Sequence, residues 1–423
     1  MNEGEQPQMI CYHCFQEIGD SSVCPHCQFS AAENKEKFPL ALPPGITIGN
    51  DYTLGRVLGQ GGFGITYIAK DNYTGTRVAI KEFFPESMAT RTASHTVSAY
   101  TGERGEGFLY GKQCFLEEAK TLATFIGNPN IVRVYRYFEE NETAYFVMEY
   151  VDGTSLKDYL KSRGGKISFE EAKRILVPVT DALAAVHSKG VVHRDISPDN
   201  IIITKNGIVK LLDFGAARYS IGDMSRSLDV VLKHGYAPRE QYSRHGRQGP
   251  FTDVYSLAAT FYRAITGIIP QDSIDRMDND LMVTPRAYCP DLTPQGEFAL
   301  FKALAVQPAD RFQSTLLFKQ CLLSRGPVPP ALFKPAPVRM QQPTPRTVSQ
   351  TGNPSGQPSV QQRVQPNVRS QAQPRAAQPV TADPGQKPVR QKKPFSPLKT
   401  TLLSFGVSLA VFGVILLIII LTR

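Results

Sequence analysis

The spacing of hydrophobic and polar residues changes partway along the chain. Before Ser168, short β-rich runs such as YTLGRVLG, ITYIAK and RVAIKEF alternate with turn sequences rich in Gly, Asn and Thr, which predicts an antiparallel meander of strands. After Ser168, in FEEAKRILVPVTDALAAVHSKG and DVYSLAATFYRAITG, apolar residues recur at helical spacing. Strands followed by helices predict an α+β fold with a β-rich N-lobe and a helical C-lobe over residues 51–323.

An uncharged segment of 23 residues, 400–422, precedes the final Arg423. At about 1.5 Å per residue, a helix of this length crosses the roughly 30 Å hydrocarbon layer of a membrane. We therefore predict a transmembrane helix rather than a buried core helix, since no later segment is there to pack against it. Its basic flank predicts a single-pass protein of the cell membrane whose N-terminal bulk is cytoplasmic. The flanking residues are Arg390, Lys392, Lys393 and Lys399.

Residues 324–399 are predicted to be a disordered, basic tether rich in Pro and Gln. Between Gly326 and Lys399 the chain holds 16 of its 32 prolines and too few large apolar residues to offset the entropy of ordering. The same stretch has eleven Lys or Arg and one acid, which accounts for the whole net charge of +9. The rest of the protein is nearly neutral, so we expect no binding of nucleic acid. The basic residues beside residue 400 either touch anionic lipid or serve only as a topology signal.

Four of the seven cysteines form two C-x-x-C pairs near the N-terminus, CYHC and CPHC, separated by nine residues. Two such turns can aim four thiolates at one cation, so the spacing predicts a structural Zn²⁺ site in a zinc ribbon over residues 8–30, followed by a linker at 31–50. The predicted ligands are Cys11, Cys14, Cys24 and Cys27. A redox-active pair is the alternative, disfavoured because no βαβ pattern surrounds it. His13 and His26, inside the turns, are either substitute ligands or exposed loop residues. A protein partner for the ribbon is left open.

A series of short motifs in the 51–323 region carries candidate chemistry. The glycine-rich GQGGFG lies between two predicted strands, VAIK lies on the next strand, and FLEEAKTL, VMEYVDG, HRD-x₄-N and DFG follow in that order. One motif alone is weak evidence, because G-x-G-x-x-G also occurs in dinucleotide-binding folds, where it opens a helix. The ordered set is specific, and through it residues 51–323 resemble a eukaryotic-like Ser/Thr protein kinase, closest to those of bacteria.

The resemblance implies a role for each matching residue. The loop glycines would approach the ATP phosphates, and the backbone from Glu149 to Val151 would face adenine. Lys81 would pair with the phosphates and with Glu118 on the next helix, with the adjacent Glu117 as an alternative. Asp195 would orient the substrate hydroxyl. The implied cofactor is ATP with Mg²⁺ or Mn²⁺. The loop glycines are Gly59, Gly61 and Gly64, and the metal ligands would be Asn200 and Asp213.

The catalytic loop departs from the family pattern at one place. In VVHRDISPDNIII, Ser197 stands two residues after Asp195, where the family has a lysine. Counting back from Glu240 and Tyr236, the position where the family has a threonine holds Lys233. We infer that a hydroxyl and an amine have exchanged places, so that Ser197 and Lys233 both belong to the catalytic set. The alternative is that Lys233 is a surface residue of the activation segment.

Other features follow from the resemblance. We expect Glu240 to pair with Arg311, and Asp253 to hold the backbone of the catalytic loop. The connection between Lys81 and Glu118 is longer than the family needs, which predicts an inserted segment around residues 91–111. Serines at 220, 225 and 227 are either sites of activating phosphorylation or unmodified loop residues.

The sequence therefore predicts a membrane-anchored Ser/Thr protein kinase that acts on protein substrates and phosphorylates itself. Two other classes compete with this interpretation. A pseudokinase acting as a membrane-tethered scaffold is favoured by Ser197. A small-molecule phosphotransferase is disfavoured by the segment from Tyr236 to Glu240, which resembles a peptide-binding segment. A homodimer is left open.

Overall fold

The computed structural model describes residues 9–19, 21–214, 232–243 and 246–324. The predicted tether, the predicted membrane span at 400–422 and the serines at 220, 225 and 227 lie outside these ranges. Among the described helices, none combines the length and the apolar character needed to cross a membrane. The membrane span therefore stays a prediction from sequence.

The N-lobe is a six-stranded sheet in which every neighbouring pair is antiparallel. The strand order is β1-β2-β3-β4-β8-β7, so sequential strands are neighbours along most of the sheet, which confirms the predicted meander. A tight turn joins β3 to β4, where the Asp71 carboxylate accepts hydrogen bonds from the N–H groups of Tyr73 and Thr74. The strands are β1 (Thr47–Ile48), β2 (Tyr52–Gly61), β3 (Gly64–Asp71), β4 (Arg77–Phe83), β7 (Val134–Glu140) and β8 (Thr143–Glu149).

Residues 9–19 and 21–50 lie against this sheet. Two cysteine turns are followed by helix α1 (Ala31–Lys37) and by β1, which pairs with the start of β2. Leu42 and Ile48 are buried in the same core as the strands of the N-lobe. The segment at 31–50, predicted as a linker, is thus docked on the kinase-like region along its length.

The inserted segment around 91–111 forms parts of two elements. It begins in a hairpin of β5 (Ala89–Arg91) and β6 (Val97–Ala99) and continues into helix α2 (Glu103–Leu122). Arg91 reaches back to Glu82 with an Nη2–Oε2 distance of 2.7 Å, and both side chains are buried. The hydroxyls of Tyr67 and Tyr145 donate to the same carboxylate. The hairpin is therefore held on β4, directly beside Lys81.

The C-lobe is helical, as the apolar spacing predicts. Ser168 caps the start of helix α4 (Phe169–His187): its hydroxyl accepts a hydrogen bond from the Glu171 N–H. Helix α5 (Pro250–Thr266) begins with a proline and is capped at its end by Gly267 in the left-handed conformation (φ 80°), a common helix terminator. The helices are α3 (Leu156–Ser162), α4 (Phe169–His187), α5 (Pro250–Thr266), α6 (Asp275–Asp278), α7 (Pro294–Ala303) and α8 (Thr315–Leu323). A small sheet of β9 (Gly153–Ser155), β10 (Ile201–Thr204) and β11 (Val209–Leu211) carries the catalytic loop.

Candidate active site and cysteine cluster

The glycine-rich motif forms the tip of the β2–β3 hairpin. A Cβ added at Gly59 or Gly61 would meet nothing within 4 Å, so both residues face open space that a ligand can approach closely. A Cβ at Gly64 would lie 2.4 Å from the Glu82 carbonyl oxygen. The third glycine is thus required by strand packing, and the first two leave room for a phosphate.

Lys81 connects the two lobes through an ion pair. Its Nζ lies 2.7 Å from Asp213 Oδ1. Burial disfavours the charge on the lysine, but the carboxylates of Asp213 and Glu118 outweigh it and raise the pKa of the ammonium. Burial likewise opposes ionisation of Asp213, yet the Lys81 ammonium lowers the pKa of this aspartate. Both groups are therefore charged across the neutral range.

The structure distinguishes the two glutamates on α2. Glu118 lies on the buried face, 6% exposed, and its charge acts on Lys81. Glu117 is exposed, and its carboxylate pairs with Lys120 one turn away at 2.6 Å. Glu118 is thus the residue positioned to orient the lysine.

A buried aspartate fixes the catalytic loop, as predicted for Asp253. Its carboxylate accepts hydrogen bonds from the N–H groups of His193 and Arg194, each at 2.8 Å, and contacts His187 Nε2 at 2.7 Å. Arg194 has a positive φ of 70° and Asp213 one of 48°, a conformation that non-glycine residues seldom adopt. Such backbone strain collects at functional sites, where the surrounding contacts maintain it.

Asp195 and Asn200 close the catalytic loop on itself. Asn200 Nδ2 donates to the backbone oxygen of Asp195 at 2.7 Å and to its Oδ2 at 3.0 Å. The Asn200 carbonyl accepts from the N–H of Leu212, so the loop is joined to the strand that leads to Asp213. Carboxylate and amide oxygens from Asp213 and Asn200 are the donors that Mg²⁺ prefers, so the residues fit the metal implied by the resemblance.

Lys233 and Ser197 meet beside Asp195. Lys233 Nζ donates to Ser197 Oγ at 2.8 Å and lies 3.3 Å from Asp195 Oδ1. Ser197 is fully buried, while Lys233 is about one-third exposed. The two residues of the inferred exchange are therefore in direct contact. The ammonium of Lys233 pairs with Asp195, so Lys233 is not a free surface lysine.

The segment 232–243 is anchored by a buried ion pair, as predicted. Arg311 makes a two-pronged contact with Glu240, at 2.7 and 3.0 Å, and both side chains are buried. Gln241 Nε2 donates to the Arg194 carbonyl at 2.9 Å, which joins this segment to the catalytic loop. Sequence reasoning missed Gln241. Its place directly after Glu240 was the only available signal.

Glu149 and Val151 lie where β8 leaves the N-lobe. The Glu149 N–H donates to the Arg133 carbonyl at 2.8 Å, and its carboxylate pairs with Lys210 at 2.8 Å. These contacts connect the end of β8 to the residue that precedes β7 and to β11. They fix the start of the backbone from Glu149 to Val151, which is predicted to face adenine.

The four N-terminal cysteines form one cluster, with every pair of Sγ atoms within 4.8 Å. Cys11 Sγ lies 3.5 Å from Cys27 Sγ, and Cys14 Sγ lies 3.7 Å from Cys24 Sγ. Four sulfurs about 2.3 Å from a central ion in a tetrahedron lie about 3.8 Å apart, so the cluster fits a tetrahedral metal ion. The cysteines are free rather than joined in disulfides.

The two turns of the cluster share one backbone pattern. The Phe15 N–H donates to the Cys11 carbonyl and the Gln28 N–H to the Cys24 carbonyl, and both Phe15 and Gln28 have φ of 59°. Burial opposes ionisation of Cys24, but nearby backbone N–H groups lower its pKa to about 6. His13 is half-buried and is not part of the cluster, which favours its interpretation as a loop residue.

The chain is similar to known kinases over the same region. The sequence model of the protein kinase domain family matches residues 52–289. The serine/threonine-protein kinase PknA of Mycobacterium tuberculosis is 32% identical over 279 residues, 64% of this chain and 60% of PknA. A probable serine/threonine-protein kinase of Streptomyces coelicolor is 31% identical over 281 residues, 63% of this chain and 38% of that protein. The chain thus spans 38% to 60% of the length of these curated relatives.

Among solved structures, the apo form of PpkA-294 matches with a TM-score of 0.61 and 36% identity, covering 67% of this chain and 99% of that one. The kinase domain of Mycobacterium tuberculosis PknI matches with a TM-score of 0.51 and 26% identity.

Proposed function

This chain belongs to the protein kinase family, and we propose from that membership that it transfers the γ-phosphate of ATP to serine or threonine side chains of protein substrates. The observation that carries the proposal is the convergence of charged groups at the junction of the lobes: Lys81 pairs with Asp213, and the charge of Asp195 also acts on Lys81. Phosphoryl transfer depends on placed charge more than on covalent chemistry, and these are charges of the required sign.

The proposed roles follow from the contacts of each residue. Lys81 binds the nucleotide phosphates, and Glu118 keeps its ammonium in place. Asp195 accepts or orients the proton of the substrate hydroxyl. Asp213 and Asn200 would hold Mg²⁺, which would neutralise charge at the phosphates.

We further propose that Lys233 takes the part of the lysine that the catalytic loop lacks. Its ammonium lies beside Asp195 and is oriented by the buried Ser197 hydroxyl. The family has a lysine at the position of Ser197 and a threonine at the position of Lys233. The exchange keeps one cation and one hydroxyl near the reacting groups, so electrostatic stabilisation of the transferring phosphate is retained.

The experiment compares the purified chain with its Asp195→Asn variant in the presence of radiolabelled ATP, Mg²⁺ and a general protein substrate. We expect phosphate to appear on serine or threonine with the wild-type chain, and at least a hundredfold less with the variant. Equal labelling of both, or none in either, would favour the competing function of a membrane-tethered scaffold.

The metal of the cysteine cluster is proposed to be Zn²⁺ in a structural role. Four cysteine ligands without an open position are typical of structural zinc sites, in contrast to catalytic ones. Metal analysis of the purified chain should give one zinc per molecule, and Cys24→Ser should lose it. Retention of zinc by that variant would overturn the assignment.

We also propose that the segment 400–422 anchors the protein in the cell membrane, with the kinase domain in the cytoplasm. The proposal rests on 23 uncharged residues and on the basic residues that precede them.

A further inference from the structure

We propose that the cysteine ribbon is a metal-dependent clamp on the strand that leads into the glycine-rich loop, and that Tyr12, through its backbone carbonyl, and Asn34 are positioning residues for nucleotide binding. The inference builds on the proposed kinase function. Its first test measures the clamp itself, so the two can fail separately.

The clamp begins with the outer edge of β2. Strand β1 pairs with β2 only at Tyr52 and Thr53, and Leu54 bonds with the backbone of residues 45 and 46. Beyond that point, the N–H of Arg56 donates to the Tyr12 carbonyl at 2.8 Å. The edge is thus continued by the ribbon rather than by a strand of the sheet.

The next N–H of β2 is also held from outside the sheet. Val57 donates its backbone N–H to Asn34 Oδ1 at 3.0 Å, in a contact that is buried. Asn34 is the one buried residue of the short helix α1, which directly follows the ribbon. Two successive amides of β2 are therefore satisfied by the N-terminal segment.

These amides lie in an irregular part of the sheet. The β2–β3 register shifts between Leu54 and Val57 and again between Val57 and Gly59. Bulges of this kind disrupt the ladder and bend the strand. The glycine-rich tip starts immediately afterwards, so its position depends on how firmly the bulge is held.

Steric fit shows that the ribbon backbone approaches β2 closely. A Cβ added at Gly55 would lie 2.1 Å from the Tyr12 carbonyl oxygen and 3.1 Å from the Phe15 ring of the ribbon. It would also lie 2.9 Å from a methyl group of Ile68 on β3, a side chain, whereas the closest atom belongs to the ribbon backbone. Gly55 does not have a positive φ, so alanine there meets no backbone strain of its own. Gly55→Ala would therefore separate ribbon and strand without touching the cysteines or the loop glycines.

A metal ion bound by the four cysteines would fix the shape of the first turn. Tyr12 lies between Cys11 and Cys14, inside a turn closed by the bond from the Phe15 N–H to the Cys11 carbonyl. A segment this short cannot build a core large enough to hold itself, and such segments depend on their metal for folding. Removing the ion should free the Tyr12 carbonyl and, with it, the Arg56 amide.

The first experiment follows amide hydrogen exchange of the full chain in detergent, with and without prior removal of metal by a chelator. We expect metal removal to speed exchange at residues 56–64 while the C-lobe helices keep their protection. Gly55→Ala should give the same local effect with the metal still bound. Unchanged exchange at 56–64 in both cases would overturn the clamp. This readout needs no catalytic activity.

The second experiment measures binding of a fluorescent ATP analogue and steady-state kinetics. Loss of one buried hydrogen bond at the bulge should weaken nucleotide binding about fivefold. Asn34→Leu should raise the KM for ATP by that factor and leave kcat nearly unchanged, because no catalytic group moves. Asn34→Asp keeps an acceptor oxygen and should restore the wild-type KM.

The matched control is Gly107→Ala on α2, where the added Cβ makes only ordinary contacts of 3.5 Å or more. It should change neither exchange at 56–64 nor the KM. If Gly55→Ala proves unfolded by circular dichroism, Asn34→Leu replaces it in the exchange experiment, because it frees the neighbouring amide of Val57. In the kinetic experiment, a fall in kcat with an unaltered KM for Asn34→Leu would contradict a positioning role for Asn34.

Discussion

Lys233 is the residue on which the proposed chemistry of this site most depends. Its ammonium lies 3.3 Å from Asp195 Oδ1, the carboxylate proposed to receive the proton of the substrate hydroxyl, and 2.8 Å from Ser197 Oγ. Removing one group that stabilises developing charge costs about 10²–10³-fold in kcat. We expect Lys233→Met to lose activity as severely as Lys81→Met, measured by kcat with a peptide substrate. Turnover near that of the wild type would contradict the exchange.

The exchange also predicts a rescue at the residue scale. Lys233→Thr alone should be inactive, because no cation remains beside Asp195. Adding Ser197→Lys would place the amine and the hydroxyl where the family has them, and should recover at least tenfold in kcat over the single variant. The measurement is the same peptide assay. No recovery in a folded double variant would mean that Lys233 serves only to hold the segment 232–243.

The buried pair of Glu240 and Arg311 carries a prediction about stability. Leaving a buried charge without its partner costs about 3–5 kcal/mol, so Arg311→Leu should lower the free energy of unfolding by that amount in urea titrations. Lys319→Ala is the matched control. It removes an ion pair with Asp181 of similar length, 2.7 Å, whose side chains are 27% and 50% exposed, and should cost under about 1 kcal/mol. If both variants lost the same free energy of unfolding, burial of the ion pair would not be the cause of the loss.

At the scale of elements, the spacing of apolar residues predicts those strands and helices whose stability depends mainly on residues within one segment. The β2–β3–β4 meander and helices α4 and α5 follow from spacing within one segment. The hairpin of β5 and β6 was predicted only as an insertion, because its strands have three residues each and its anchor is the nonlocal pair of Arg91 with Glu82. The sequence predicts the meeting of Ser197 and Lys233 only because the family pattern supplies their long-range register.

The loop after α5 holds the segment 232–243 through Asp272. Burial would raise the pKa of Asp272, but hydrogen bonds from the Tyr242 hydroxyl and the Ile274 N–H, with His234, lower it below its ordinary value of 3.8. Since the folded pKa is below the unfolded one, the ionised carboxylate stabilises the fold fully above pH 3.8 and ceases to do so as pH falls through the lower value.

Asp272→Asn should therefore destabilise the chain in urea at neutral pH, and the difference from wild type should narrow below pH 3.8. Tyr242→Phe removes one donor, at 2.6 Å, and should show part of the same pH dependence. A difference that stays constant with pH would mean that the charge of Asp272 contributes nothing.

At the scale of the whole molecule, the sequence predicts the domains but not how the N-terminal segment packs on the kinase domain. The α+β order, the two lobes and the cysteine cluster were predictable because motifs and periodicity mark them. The close packing of residues 9–50 on β2 was not, since the sequence shows Gly55, Asn34 and Tyr12 as unremarkable residues. Only the fold shows that Tyr12 packs on Gly55, and that Asn34 accepts a hydrogen bond two residues further along the same strand, which enters the glycine-rich loop.

The membrane anchor is the prediction that belongs to the whole chain. Residues 400–422 lack a charge, and the apolar gain of burying such a segment in lipid makes insertion effectively irreversible. Expressed in bacterial cells, the full chain should stay with the membrane fraction after an alkaline wash, and a chain ending at residue 343 should not. The control substitutes Leu409→Arg and Phe412→Arg. Each charge near the centre of the helix opposes insertion by about 2.5–3.5 kcal/mol, so the doubly charged chain should leave the membrane as the truncated one does. A charged variant that remained in the washed membranes would show that something other than this helix holds the protein there.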